Sequence, residues 1–261
     1  MISLSSAEIN AWVAAFFFPL ARVLALMATA PPFNNPALPA RVRLMAGLAV
    51  TLGVAPVLPP IPVLDPGSGV GLLLLAQQLL IGFAMGFAMR LVFSAVDMAG
   101  SLISLQMGIG FASSYDPQTA GQTVVVSEFL GLLALLVFMA INGHLMVIAT
   151  LTHSFSVMPI GATRLWPDTW WQLAASGGII FSYGLLLALP IVVALLITNL
   201  ALAILGRAAP QLNLMAIGFP LTIALGFAAL MFGLAHLAQP LQELFEHGLQ
   251  SMLGPFARQR P

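Results

Sequence analysis

Six apolar segments, at about 10–30, 42–58, 70–96, 124–152, 173–205 and 214–238, constrain this chain more than any other feature. A helix needs roughly 20 mostly apolar residues to cross the hydrocarbon core of a bilayer, and each segment reaches or approaches that length. Lipid offers the backbone no water, so the peptide groups of each segment must pair within a helix. Composition removes the water-soluble alternative. Only 6% of the 261 residues are charged and 60% are hydrophobic, whereas a soluble domain carries roughly 25% charged residues. The expected fold is an all-α membrane protein with about six long hydrophobic helices. No linker separates two cores, so one bundle is the simpler expectation.

The breaks between segments are legible in residue chemistry. "PPFNNPALPAR" (31–41) and "PPIPVLDPGSG" (59–69) are rich in proline, which lacks an amide donor and fixes φ, so no helix runs through them. "MPIGATRLWPDTWW" (158–171) places Trp166, Trp170 and Trp171 together, as in an interfacial aromatic belt. "GRAAPQLN" (206–213) is the last break. Pro190 and Pro220 fall inside apolar segments, and each removes one backbone hydrogen bond, so kinks are expected there. Segments 70–107 and 173–205 are overlong for a perpendicular span and must tilt, kink or project. With six spans, Arg41, Arg43, Arg90 and Arg207 fall on one side and Arg164, Arg258 and Arg260 on the other. That near tie leaves orientation unspecified. "ATA" (28–30) has the small residues of a signal cleavage site, but no basic residue precedes the apolar run and Arg22 lies inside it. A retained first helix is therefore expected. The tail (239–261) has Leu241, Leu244, Phe245, Leu249, Met252 and Leu253 near helical spacing with Gln and Glu between them. An amphipathic helix is expected, lying on a membrane surface or packing on a partner.

Little in the chain points to catalysis. Its eight basic residues, all Arg, balance eight acidic ones, so it lacks the clustered positive charge that binds nucleic acid. It has no cysteine, which removes thiolate metal sites and cysteine nucleophiles. The four histidines (144, 153, 236, 247) form no HExxH, and His144 and His153 are too far apart to share a helix face. "AASGG" (174–178) departs from the serine motif of intramembrane proteases at Ala174, and "YD" (115–116) has no GxGD partner. No cofactor or metal site and no enzyme is expected. The residues that stand out are polar ones at depth. Arg22, Arg90, Asp97 and Glu128 lie in apolar segments, where a charge is costly unless paired or hydrated. Arg90 and Asp97 are two helical turns apart and point roughly the same way. Gly82 and Gly86 form GxxxG in "GFAMG", a pattern that lets helix backbones approach closely, within the chain or across subunits.

The remaining feature is "GIGFASSYDPQTAGQ" (108–122), a polar interruption between two long apolar runs. Gly108 and Gly110 bracket Ile109 and permit backbone conformations closed to other residues. "YDPQ" favours a turn, through the Asp116 side chain and the fixed φ of Pro117. Phe111 and Tyr115 supply bulk, and Ala112, Ser113 and Ser114 lie between them. Lipid cannot satisfy such a backbone, so the segment is either a solvent-exposed connector or is buried in protein or beside water.

Four stretches together resemble the FliR family of type III secretion export-gate proteins. They are "PLARVLALMATAPPFNNPALPARVRL" (19–44), "GFASSYDPQTAGQ" (110–122), "FMAINGHLMVIATLTHSFSVMPIG" (138–161) and "LPIVVALLITNLALAILGRAAPQLNLMAIGFPLTIALG" (189–226). Their order and spacing cover most of the chain. The resemblance implies a non-enzymatic subunit of the flagellar protein export channel, in the bacterial inner membrane at the flagellar basal body. It implies tilted, kinked hairpins assembled with FliP-like and FliQ-like subunits, an FlhB-like subunit close by, and unfolded flagellar proteins in transit. It further implies that 1–172 is a FliP-like part, 173–238 a FliQ-like hairpin, and loop 108–122 a pore plug, with the residues from Gly108 to Pro117 as its site residues. Arg22, Arg90, Asp97 and Glu128 then serve assembly or pore hydration. On residues alone, the alternative is a small-molecule secondary transporter, which also has broken helices and intramembrane charges.

Overall fold

The computed structural model describes residues 6–59, 67–109, 125–161, 167–209 and 214–257. Every regular element among them is helical: α1 (Ser6–Thr29), α2 (Ala40–Val54) with a 3-10 turn (Ala55–Val57), α3 (Gly69–Met107), α4 (Val125–Ala140), α5 (Gly143–Val157), α6 (Pro167–Ala175), α7 (Gly178–Ala208) and α8 (Leu214–Ala257). Among the described residues, five helices are long and apolar enough to cross a membrane, or six if α4 and α5 together make one span. The fold is the all-α membrane architecture that the apolar segments require.

Two boundaries differ from the sequence reading. The segment at 124–152 is not one helix: α4 and α5 are bent by 67° at a short break. The break is at Asn142, which takes a left-handed conformation (φ 57, ψ 30). Asn is among the few side chains that enter this region at modest cost. Pro190 and Pro220 lie inside α7 and α8, as their places in the apolar segments imply, and α8 also continues through Pro240. The second difference corrects the reading of the tail. Its apolar stripe is neither on a membrane surface nor on a partner but buried in the chain itself. Leu241, Leu244, Phe245, Leu249, Met252 and Phe256 are all buried, and Gln242, Glu243, Glu246, His247 and Gln250 are exposed. No helix breaker effective enough to stop α8 lies between its lipid-like first half and this stripe, so the two form one 44-residue helix.

The chain forms two compact units that interleave in sequence. The first contains 1–91, 142–177 and 245–261. Its fully buried side chains include Phe18, Leu26, Ile81, Met85, Met89, Leu151, Phe155 and Phe245. Here α3 packs on α1 through glycines. A Cβ on Gly82 would run into the Arg22 carbonyl oxygen and Ala25, and one on Gly86 into Thr29 and the Leu26 carbonyl oxygen. Any larger residue at these positions would push the two backbones apart. Helix α2 packs on another face of α1, with Gly47 against the Leu24 side chain and the Met27 sulfur.

The second unit contains 92–141 and 178–244. The C-terminal half of α3 is its centre, and three neighbours meet it through glycine. Gly100 of α3 abuts the Ser127 backbone of α4. Gly184 of α7 sits against Met98 and the Ala95 carbonyl oxygen, and Gly226 of α8 against the Met107 side chain. Phe93 and Phe138 add an edge-to-face ring contact between α3 and α4, with centroids 5.8 Å apart.

Candidate functional site

Arg22 is the largest fully buried side chain in the chain's described core. A guanidinium presents five N–H donors in a rigid fork, and the first unit supplies three acceptor groups, from α3, from α5 and from the residue just past α5. Nε donates to Gln78 Oε1 (2.8 Å) on α3, and Nη2 donates to the same oxygen. Nη1 donates to Ser154 Oγ (3.0 Å) on α5, and Nη2 also donates to the Met158 carbonyl oxygen (2.9 Å) just past α5. Ser154 in turn donates to the Leu151 carbonyl oxygen (2.6 Å). The Phe155 ring lies under the guanidinium, 4.1 Å from its carbon to the ring centroid, close enough for a cation–π contact. The chain places these groups together because the glycine contacts at 82 and 86 bring α3 against α1 one and two turns beyond Gln78. All the named acceptors are neutral. The charge is held by dipoles and a π face inside the protein.

The other sequence-derived residues lie elsewhere. Arg90 is on α3 in the first unit and is exposed. Asp97 and Glu128 are both exposed in the second unit, on the contacting segments of α3 and α4. Ser101 Oγ and Ser127 Oγ each donate to the Asp97 carbonyl oxygen (2.9 and 3.1 Å) and lie 3.2 Å apart. The Asp97 carboxylate faces α4 at Gly131, where a Cβ would come within 3.5 Å of Oδ1. A polar strip of two hydroxyls and two acids thus runs along α3 and α4. Gly108 and Ile109 close the end of α3, with Gly108 at φ 81. Gly110, Phe111, Ala112, Ser113, Ser114, Tyr115, Asp116 and Pro117 lie outside the described residues. Among the described residues no three of His, Asp and Glu come together as metal ligands.

Sequence reasoning singled out Arg22 but missed everything that holds it. Gln78 was visible as one of two adjacent glutamines in "LLLLAQQLLIG", a polar pair without an obvious purpose in an apolar run. Ser154 gave no signal, because serine is common in such helices and its contact spans 132 residues of sequence.

These features define a class: a membrane protein of long apolar helices, cross-linked internally by a buried arginine. The chain belongs to the bacterial export proteins, family 1, whose family model matches residues 13–248. It is 44% identical over 230 residues to the flagellar biosynthetic protein FliR of Pectobacterium carotovorum subsp. carotovorum, covering 88% of each chain. It is 42% identical over 245 residues to the FliR of Escherichia coli strain K12, covering 93% of this chain and 92% of that one. The FliR of Bacillus subtilis strain 168 is 29% identical over 245 residues, with 91% and 93% covered.

Proposed function

We propose that this chain is a structural and gating subunit of the flagellar protein export channel in the bacterial inner membrane. It packs with FliP-like and FliQ-like subunits around a pore, beside an FlhB-like subunit, and flagellar proteins pass through that pore unfolded. Within it, 1–172 acts as the FliP-like part and 173–238 as the FliQ-like hairpin. The observation that carries the reading is the exposure of Arg90 and Asp97 on α3, an apolar helix long enough to cross a membrane, in a chain that belongs to an export family. A charge left against lipid at depth costs several kcal/mol by most measures, so these faces meet protein or water. A channel assembled from several subunits supplies both. Deleting the gene in its host abolishes secretion of flagellar filament proteins into the medium. Secretion at the parental level in the deletion strain would contradict the proposal.

Segment 108–122 acts as the plug of that pore. Its support is the sequence: a polar, glycine-bearing stretch with two aromatic side chains between apolar helices, and lipid excludes such a backbone. Removing 110–120 makes the assembled channel leak potassium ions when reconstituted in vesicles, and unchanged tightness would remove the assignment.

A further inference from the structure

Helix α3 ends in a defined way. The Gly108 amide donates to the Leu105 carbonyl oxygen (3.1 Å), and the Ile109 amide donates to the Ser104 carbonyl oxygen (3.2 Å). With Gly108 at φ 81, this is a Schellman motif, which satisfies two of the last carbonyls of a helix and turns the chain away from its axis. The motif leaves the Met107 carbonyl without a helical donor. Thr222 on α8 supplies one: its hydroxyl lies 3.1 Å from Met107 O and 3.0 Å from Phe219 O, and its single proton is shared between them. Thr222 is itself buried. Two further residues of the same α8 face complete the contact. The Phe219 ring would lie 3.0 Å from a Cβ placed on Gly108, and a Cβ on Gly226 would lie 2.6 Å from Met107 Cγ. Positions 219, 222 and 226 are spaced by three and four, so they form one stripe of the helix.

We infer that this α8 stripe holds the C-terminal end of α3 in place, and that Thr222 is a positioning residue for the chain where segment 108–122 begins. Phe219 blocks one side of Gly108, Gly226 makes room for Met107, and Thr222 ties the last carbonyl of α3. Glycine at 108 is required twice over, by its positive φ and by the ring beside it. Helix α8 therefore has a second role besides spanning the bilayer: it aims the exit of α3. The inference rests on the plug reading of 108–122, and its test separates the two.

The test compares potassium leak through the assembled channel, purified with its FliP-like and FliQ-like subunits and reconstituted in phosphatidylethanolamine–phosphatidylglycerol vesicles. Thr222→Val keeps the shape of the side chain and removes the donor. It is expected to raise leak roughly fivefold, the factor set by the net worth of one hydrogen bond, with the amount of assembled complex unchanged. Thr222→Ser keeps the donor and stays tight. If the 110–120 deletion leaks but Thr222→Val does not, the inference is overturned and the plug reading stands. If the deletion itself is tight, the plug reading falls and the inference with it. Should Thr222→Val reduce assembly, a cysteine pair decides the matter, because the natural chain contains none. Met107→Cys with Gly226→Cys puts two thiols within disulfide reach. Mild oxidation of the intact complex is expected to cross-link most of the chain, and no cross-link would overturn the contact.

Discussion

Arg22 occupies the kind of position where membrane proteins seldom keep a charge. Taking a guanidinium out of water is costly, and that cost is offset only when its donors meet good acceptors. Four donor contacts and a ring face do so here. The clasp has one loose group: Gln78 Nε2 is buried without a partner. Replacing Arg22 alone would strand Gln78 altogether. Arg22→Met is therefore expected to destabilise the assembled complex by about 3 kcal/mol or more, since hydrogen bonds to a charged group are worth roughly 1.5–3 kcal/mol each. The double variant Arg22→Met with Gln78→Leu removes the stranded amide together with the charge. Its thermal midpoint in detergent is expected above that of Arg22→Met alone. A double variant less stable than the single one would show that the two residues do not act as a unit.

At the scale of elements, α3 contributes residues to each unit, and within each unit glycine sets how closely its neighbours approach. Gly86 touches α1 through backbone and side chain, whereas a Cβ on Gly53 in α2 would meet nothing within 4 Å. Gly86→Leu is accordingly expected to abolish accumulation of folded chain in the membrane, while Gly53→Leu leaves it near the parental level; immunoblots of membrane fractions check both. The bend at Asn142 makes its own prediction. Asn142→Gly preserves accumulation, because glycine enters the left-handed region freely. Asn142→Val costs about 1–2 kcal/mol, the penalty of that region for an ordinary residue, and lowers the thermal midpoint of the complex. Not all of this was legible in the sequence. Apolar length announced the helices, and proline clusters announced the breaks after α1 and α2. The break at Asn142 stayed hidden although Asn-Gly is a turn dipeptide, because the apolar runs on both sides of "FMAINGHLMV" outweighed Asn142, Gly143 and His144. The fate of the α8 stripe stayed hidden too: periodicity reveals that a face will be buried but not against what. The GxxxG at 82 and 86 was visible as a contact surface, yet only the three-dimensional arrangement identifies α1 as the helix it meets.

The whole molecule leaves much of its apolar surface uncovered. In the most apolar stretch of Gly69–Met107, 61% of residues are buried, against 22% for Thr169–Ala208 and 17% each for Ala40–Val57 and Ile217–Phe256. Lipid alone can cover Phe181, Leu200, Met231 and Phe232, which are all largely exposed. It is a poor cover for Arg90 and Asp97, which are exposed on α3. The proposed subunits and hydrated pore would account for both kinds of surface at once, which a solitary protein in lipid would not. The most direct measurement is the mass of the particle that carries this chain, taken by native mass spectrometry after gentle extraction from its own membrane. The account predicts one copy of the chain in a hetero-oligomer with several FliP-like and FliQ-like subunits, and no stable particle when those partners are deleted. A monomer or homo-oligomer that persists unchanged without them would contradict it.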